Sequence, residues 1–162
     1  MNFQSILSDL KAKKYQPVYF LMGEESYFID LISDYIINEV LNDTEKEFNQ
    51  TVLYAKDIDV QTIISTAKQF PFMGERMVVI VKEAQQLKKI EQLENYLNNP
   101  HKSTILVFCY KYKSLDKRKR IYKILSKKAV LFESKKLYDN QVPAWIENYL
   151  SSMQYKIEHK AS

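Results

Sequence analysis

The sequence contains only two glycines in 162 residues. Glycine is used where the backbone must adopt conformations that other residues resist. A phosphate-binding loop needs several glycines, so that backbone N–H groups can converge on a phosphate. This scarcity excludes a glycine-rich loop of the usual kind, and it marks the turns at Gly23 and Gly74 as positions where geometry leaves little choice of residue.

Cysteine, histidine and long apolar runs are also scarce. Cys109 is the single cysteine, which excludes an internal disulfide and a thiolate metal cage and is typical of a reducing cytoplasm. No apolar run approaches the roughly 18 residues that a membrane span requires. His101 and His159 lie far apart and have no companions at metal-site spacing. We therefore expect a soluble, cytoplasmic protein with no metal site and no cofactor.

Apolar patterning alternates between helical spacing and short buried runs. The short runs predict five strands, at residues 18–22, 50–54, 77–81, 104–109 and 129–132. Apolar residues at helical spacing predict helices near residues 3–10, 28–40, 60–67, 87–97 and 117–126. Strands that alternate with helices favour an α/β fold, in which a five-stranded parallel sheet carries helices on both faces.

A domain boundary is predicted near residue 138. Beyond it, apolar residues at helical spacing run from position 142 to position 153, and Pro143 suits the first turn of a helix. We expect residues 1–138 to form one domain, and residues 139–162 to be the beginning of a small helical domain that the end of the chain truncates.

The segment after the first predicted strand has the position of a phosphate loop but not its chemistry. Gly23 is followed by Glu24 and Glu25, with no lysine to reach a phosphate. Both carboxylates would occupy the positive end of the next helix and repel a phosphate. Lys82 ends the strand where a magnesium ligand would be needed. Gly23 is either the relic of a phosphate loop or a simple strand-end turn, and neither interpretation favours ATP hydrolysis.

A second turn carries large apolar side chains between a helix and a strand. Pro71 ends the helix and stiffens the segment that holds Phe70, Phe72, Met73 and Gly74. Burial statistics favour side chains that fold back into the core. The alternative is an exposed wedge that anchors in a pocket of a partner, since a few aromatic anchors commonly dominate binding energy. Residue spacing alone leaves both open.

Charge is concentrated in one segment. The net charge is +4, yet between positions 111 and 128 nine basic residues face Asp116 alone. Lys117, Arg118, Lys119 and Arg120 are central to this segment, and tyrosines are interleaved with it. Such a pattern is typical of a solvated helix face, and it also fits contact with a nucleic-acid backbone or with another subunit.

Four stretches of the sequence together resemble one known family. They are residues 17–25, 71–79, 115–119 and 143–146. In order and spacing the chain is similar to the delta subunits of the bacterial DNA polymerase III clamp loader over nearly its whole length. This resemblance implies the AAA+ fold, which is P-loop NTPase-like, without a working nucleotide site, and a small helical domain that begins near Asp139.

The resemblance also implies a role and a site. Delta subunits bind the ring-shaped sliding clamp (the beta subunit) and hold one of its interfaces open for loading onto primed DNA. The clamp contact is an apolar pair that corresponds to Phe72 and Met73, and Phe70, Pro71 and Arg76 would support it. The implied partners are the clamp, the other clamp-loader subunits and, through the assembled complex, primed DNA.

Three hypotheses for function follow. The first is a clamp-opening subunit of DNA replication, itself non-catalytic, within a DNA-directed DNA polymerase (nucleotidyltransferase) holoenzyme. The second is a nucleotide-dependent enzyme with an unusual phosphate loop, and the third is a basic DNA-binding module. A nucleotide beside Gly23 would favour the second, and steeply salt-dependent DNA binding would favour the third.

Overall fold

The structure is a computed structural model, and it describes residues 2–135. Five parallel strands form one sheet in the order β2-β3-β4-β1-β5. Their bounds are β1 Val18–Gly23, β2 Gln50–Tyr54, β3 Met77–Lys82, β4 Thr104–Lys111 and β5 Val130–Ser134. The predicted α/β class and the five-stranded parallel sheet are confirmed.

Residues 2–135 form six α-helices, of which the first precedes β1 and the others lie between strands. They are α1 Phe3–Lys11, α2 Ser26–Glu39, α3 Asp43–Asn49, α4 Val60–Ala67, α5 Glu94–Asn98 and α6 Arg120–Lys128. Three single turns of 3₁₀-helix supplement them, at Ala55–Asp57, Ala84–Gln86 and Ile90–Leu93. Among residues 2–135, no helix combines the length and the apolar character needed to cross a bilayer.

Two apolar cores lie on opposite faces of the sheet. Because β1, β3 and β4 are central, their side chains are buried on both faces, as near-continuous apolar runs require. Helices α1 and α2 cover one face, where Ile32 packs with Leu21 and Val107. Helices α4, α5 and α6 cover the other, where Ile63 packs with Phe20.

Three local details differ from the sequence-based expectations. Helix α3 was not predicted, because its sequence is polar, but a reciprocal capping box between Asn42 and Glu45 begins it. The helix predicted over residues 87–97 begins only after Lys89, which adopts a left-handed conformation, and it consists of a 3₁₀ turn at Ile90–Leu93 followed by α5. The last helix begins at Arg120 rather than at position 117. The predicted helix at 142–153 and the predicted second domain lie outside the described residues.

Candidate functional site

The apolar turn between α4 and β3 lies at the amino-terminal edge of the sheet. Its large side chains reach the surface and belong to neither core: Phe70 is 78% exposed, Phe72 58% and Met73 77%. Pro71 is half-buried beside them. Large apolar residues exposed side by side are uncommon on a soluble surface unless they meet a partner. We call Phe72 and Met73 the wedge.

The wedge is held by a side chain from helix α3. Asn49, the last residue of α3, is fully buried. The Phe72 N–H donates to Asn49 Oδ1 at 2.7 Å, and Asn49 Nδ2 donates to the Phe72 carbonyl oxygen at 2.8 Å. One carboxamide therefore satisfies both backbone groups of Phe72, as a neighbouring strand would.

Ring contacts flank the same turn. The ring of Phe48, which is itself 54% exposed, lies 5.4 Å from that of Phe72 between centroids. Phe70 meets His101 edge-on at 4.8 Å. Both distances fall in the range at which tilted and edge-to-face aromatic pairs attract. The turn is thus braced on two sides while its outer surface stays apolar and open.

Arg76 closes the turn just before β3 begins. Its guanidinium lies 4.9 Å from the ring centroid of Tyr15, a cation–π distance. It also faces Glu75, with 3.8 Å between Nη1 and Oε2. Burial raises the pKa of the Tyr15 hydroxyl, and the positive charge of Arg76 acts in the opposite direction. Arg76 therefore holds the end of the turn that adjoins β3, whereas the exposed surface of the turn is formed by the apolar residues.

The backbone of the turn bends at Met73 rather than at Gly74. Met73 has a φ of 51°, in the left-handed region that non-glycine residues rarely adopt. A Cβ on Gly74 would lie 2.9 Å from Glu45 Oε2 and 3.0 Å from Asn49 Nδ2. Gly74 is thus required by the close approach of α3, and the strained residue is one of the two in the wedge.

The place of a phosphate loop lies at the opposite, carboxyl-terminal edge of the sheet. Gly23 has a φ of 127°, and a Cβ there would lie 2.1 Å from the backbone oxygen of Ser134. Glu25 caps α2, since its Oε1 accepts a hydrogen bond from the Tyr27 N–H at 3.1 Å. Ser134 Oγ donates to the Glu25 carbonyl at 2.7 Å. The Glu25 carboxylate, rather than a phosphate, therefore accepts a hydrogen bond from the first turn of α2.

Charges at this edge also pair with one another. Lys111 Nζ lies 2.8 Å from Asp30 Oδ1 and is largely buried. Burial alone would lower the pKa of Lys111, but the hydrogen bond and the charge of Asp30 outweigh it and raise the value. Cys109 beneath them is buried, which raises the pKa of its thiol to about 11 and leaves it unreactive.

Comparison with known proteins identifies the family. The sequence profile of the family described as DNA polymerase III, delta subunit, matches residues 19–135. The chain belongs to this family. The DNA polymerase III subunit delta of Bacillus subtilis (strain 168) is 32% identical to it over 167 aligned residues, which cover 97% of this chain and 48% of the relative. The chain thus spans about half the length of that relative.

Solved structures agree with this assignment. The DNA clamp loader delta protein of Bacillus subtilis matches this delta-family chain with a TM-score of 0.73 and 31% identity, covering 83% of this chain and 43% of the other. A DNA polymerase III gamma subunit-related protein of Thermotoga maritima matches with a TM-score of 0.53 and 14% identity, over 88% and 48% of the two chains. The second likeness concerns the fold alone, and the predicted AAA+-like architecture is confirmed.

The basic segment of this delta-family chain lies on the surface around the start of α6. Lys117, Arg118, Lys119 and Arg120 are all exposed. Arg118 is engaged by Asp116 in a paired contact, at 3.1 Å from Nε and 3.0 Å from Nη2, and Arg120 faces Glu94 at 3.8 Å. Lys117 and Lys119 form no salt bridge within residues 2–135, although, beside the hydrogen bonds from Arg118, the charge of Lys119 helps to lower the pKa of Asp116. Part of the segment's charge is therefore neutralised internally.

Sequence reasoning missed two residues of the candidate site. Phe48 and Asn49 end a helix whose polar sequence gave no reason to connect it with a turn more than twenty positions later. An asparagine directly before a predicted strand offered a weak signal, because the helix-to-strand junction there leaves no loop.

Proposed function

We propose that this delta-family chain is the clamp-binding part of a clamp-loader subunit. It binds the sliding clamp through the wedge, helps to hold one interface of the ring open, and catalyses no reaction itself. The observation that carries the proposal is the exposure of Phe70, Phe72 and Met73 on a turn that α3 and Arg76 hold in place. Pro71 and Arg76 support the turn from either side.

A wedge of this kind can do mechanical work without chemistry. If it binds the distorted clamp edge more tightly than the closed edge, binding shifts the ring toward the open state. A single buried aromatic anchor contributes ~2–4 kcal/mol, which corresponds to roughly 30- to 1,000-fold in affinity. Phe72 alone therefore supplies enough binding energy to bias such an equilibrium.

The test is binding of the chain to the sliding clamp of the same organism, measured by surface plasmon resonance. We expect Phe72→Ala to weaken binding by at least roughly 30-fold, and Met73→Ala by a smaller factor because its contact is more adaptable. Tyr54→Ala is the matched control, since Tyr54 is 52% exposed and lies at the other edge of the sheet. Affinity that is unchanged in both wedge variants, with folding intact, would refute the proposal.

Other partners are part of the same proposal. The chain would assemble with the remaining clamp-loader subunits in a cytoplasmic DNA polymerase III holoenzyme. It would reach primed DNA through that complex. Exposed Lys117 and Lys119, with Arg118 and Arg120 beside them, supply positive charge for that contact. Contact with a phosphate backbone predicts affinity that falls steeply with salt concentration.

A further inference from the structure

Helix α3 ends directly against the wedge, and its last two residues both contact Phe72. Asn49 supplies the two hydrogen bonds to the Phe72 backbone, and Phe48 supplies the ring contact. Phe72 makes these contacts with a segment that precedes it by more than twenty residues, so they are tertiary contacts and not part of the turn itself. An aromatic residue left exposed in such a framework is fixed in position without being buried.

We propose that Asn49 is the positioning residue of the wedge and that Phe48 braces the Phe72 ring. Together they present Phe72 to the clamp in its bound conformation. This inference rests on the proposed function, and it says which residues hold the wedge in its binding conformation. A flexible turn must lose conformational freedom when it binds, and that cost lowers affinity. A turn already fixed by α3 does not incur that cost.

The chemistry of position 49 is specific to a carboxamide. Its oxygen accepts from the Phe72 N–H while its nitrogen donates to the Phe72 carbonyl oxygen, so a group with both functions is required. An aspartate would keep the acceptor and place a second oxygen against the carbonyl. Because Asn49 is fully buried, the longer glutamine would not fit without displacing its neighbours.

Gly74 shows that the arrangement is closely built. Its Cα approaches α3 so nearly that a Cβ would meet Asn49 Nδ2 at 3.0 Å. Glu45, the other side chain at this point, also belongs to the capping box of α3, where its Oε1 accepts from the Asn42 N–H at 3.1 Å. Glu45 from the capping box of α3 and Asn49 at its end therefore both lie against the same side of the turn.

A double-mutant cycle on clamp binding tests the inference. Asn49→Ala and Phe48→Ala are each measured alone and combined with Phe72→Ala, using the whole chain and the sliding clamp of the same organism. Alone, each is expected to weaken binding roughly 3- to 10-fold. Combined with Phe72→Ala, each is expected to add less than about twofold, because the side chain being positioned is gone.

A second measurement separates positioning from general destabilisation. Exchange of the Phe72 amide proton, followed by NMR, should be slow in the parent chain and fast in Asn49→Ala. The matched control is Ile36→Val, which loosens the buried core between α2 and the sheet without touching the turn. It should lower the melting temperature and leave both Phe72 exchange and clamp affinity unchanged. Should Asn49→Ala not fold, Asn49→Asp replaces it and is expected to weaken binding similarly.

The outcomes distinguish this inference from the proposed function. If Phe72→Ala and Met73→Ala both bind the clamp normally, the wedge is not the clamp contact and the proposed function fails. If Phe72→Ala binds normally while Met73→Ala does not, the wedge stands, but Phe72 makes no contact that could be positioned and this inference is refuted. If Phe72→Ala loses affinity while the folded position-49 variant keeps it, the wedge stands and the positioning role is refuted. A loss with Asn49→Ala that is equally large in the Phe72→Ala background also refutes it. Normal clamp affinity in Phe48→Ala would refute the proposed role of Phe48 in bracing the Phe72 ring.

Discussion

At the scale of single residues, the two glycines are needed for different reasons. Gly23 combines a left-handed φ with a backbone oxygen of Ser134 only 2.1 Å from where a Cβ would stand. Gly74 has an ordinary φ, and the atoms that a Cβ would meet belong to the side chains of Glu45 and Asn49. Backbone cannot yield to a methyl group, whereas side-chain ends can, so the two sites should respond differently to alanine.

We predict that Gly23→Ala lowers the free energy of unfolding by about 3 kcal/mol or more, through backbone strain and overpacking. Gly74→Ala should cost only about 1 kcal/mol, the scale of a weakened helix cap, because the Glu45 carboxylate can rotate away and Asn49 needs to move only slightly. Urea denaturation of both variants gives the comparison. Equal losses at the two positions would contradict this account of why each glycine is present.

At the scale of secondary-structure elements, α6 begins unfavourably. Its N-cap is Lys119, which makes no side-chain capping bond, and no acidic residue occupies the first turn. Positive charge at a helix N-terminus opposes the helix dipole. A lysine at this position is therefore unfavourable for the start of α6.

We predict that Lys119→Asp raises the stability of the fold by about 1 kcal/mol, because an aspartate accepts from the free N–H groups and favours the dipole. Thermal unfolding measures the gain. Lys119→Ala is the control for removal of charge without a new cap, and it should give a smaller gain than the aspartate. A melting temperature for Lys119→Asp at or below that of the parent chain would show that the start of α6 is held in another way.

The sequence predicted those helices and strands whose buried faces show as a regular pattern of apolar residues. Strands β1 and β3 are continuous apolar runs, and α2 and α4 carry apolar residues at helical spacing. Helix α3 carries no such pattern and depends on a capping box and on tertiary contacts. The exposure of Phe72 could not be read from its spacing either, because the buried Asn49 that holds its backbone comes from this unpredicted helix.

At the scale of the whole molecule, the candidate docking site and the turn at Gly23, where a phosphate loop would lie, are at opposite edges of the parallel sheet. The wedge precedes β3, whereas Gly23 ends β1. Strands of five or six residues separate the two edges by roughly 20 Å. A partner at the wedge therefore leaves the opposite edge free, which is compatible with the proposed clamp contact.

We predict that the chain does not bind Mg-ATP, although its fold is AAA+-like. Glu25 caps α2, a backbone oxygen of Ser134 crowds Gly23, and Lys82 ends β3 where a metal ligand would be needed. Isothermal titration should therefore show no saturable heat up to about 1 mM nucleotide, a concentration that corresponds to a binding free energy of only ~4 kcal/mol. A nucleotide-binding P-loop protein in the same buffer is the positive control. Saturable binding of Mg-ATP by the parent chain would show that this edge accepts a nucleotide despite the Glu25 carboxylate, and would contradict the prediction.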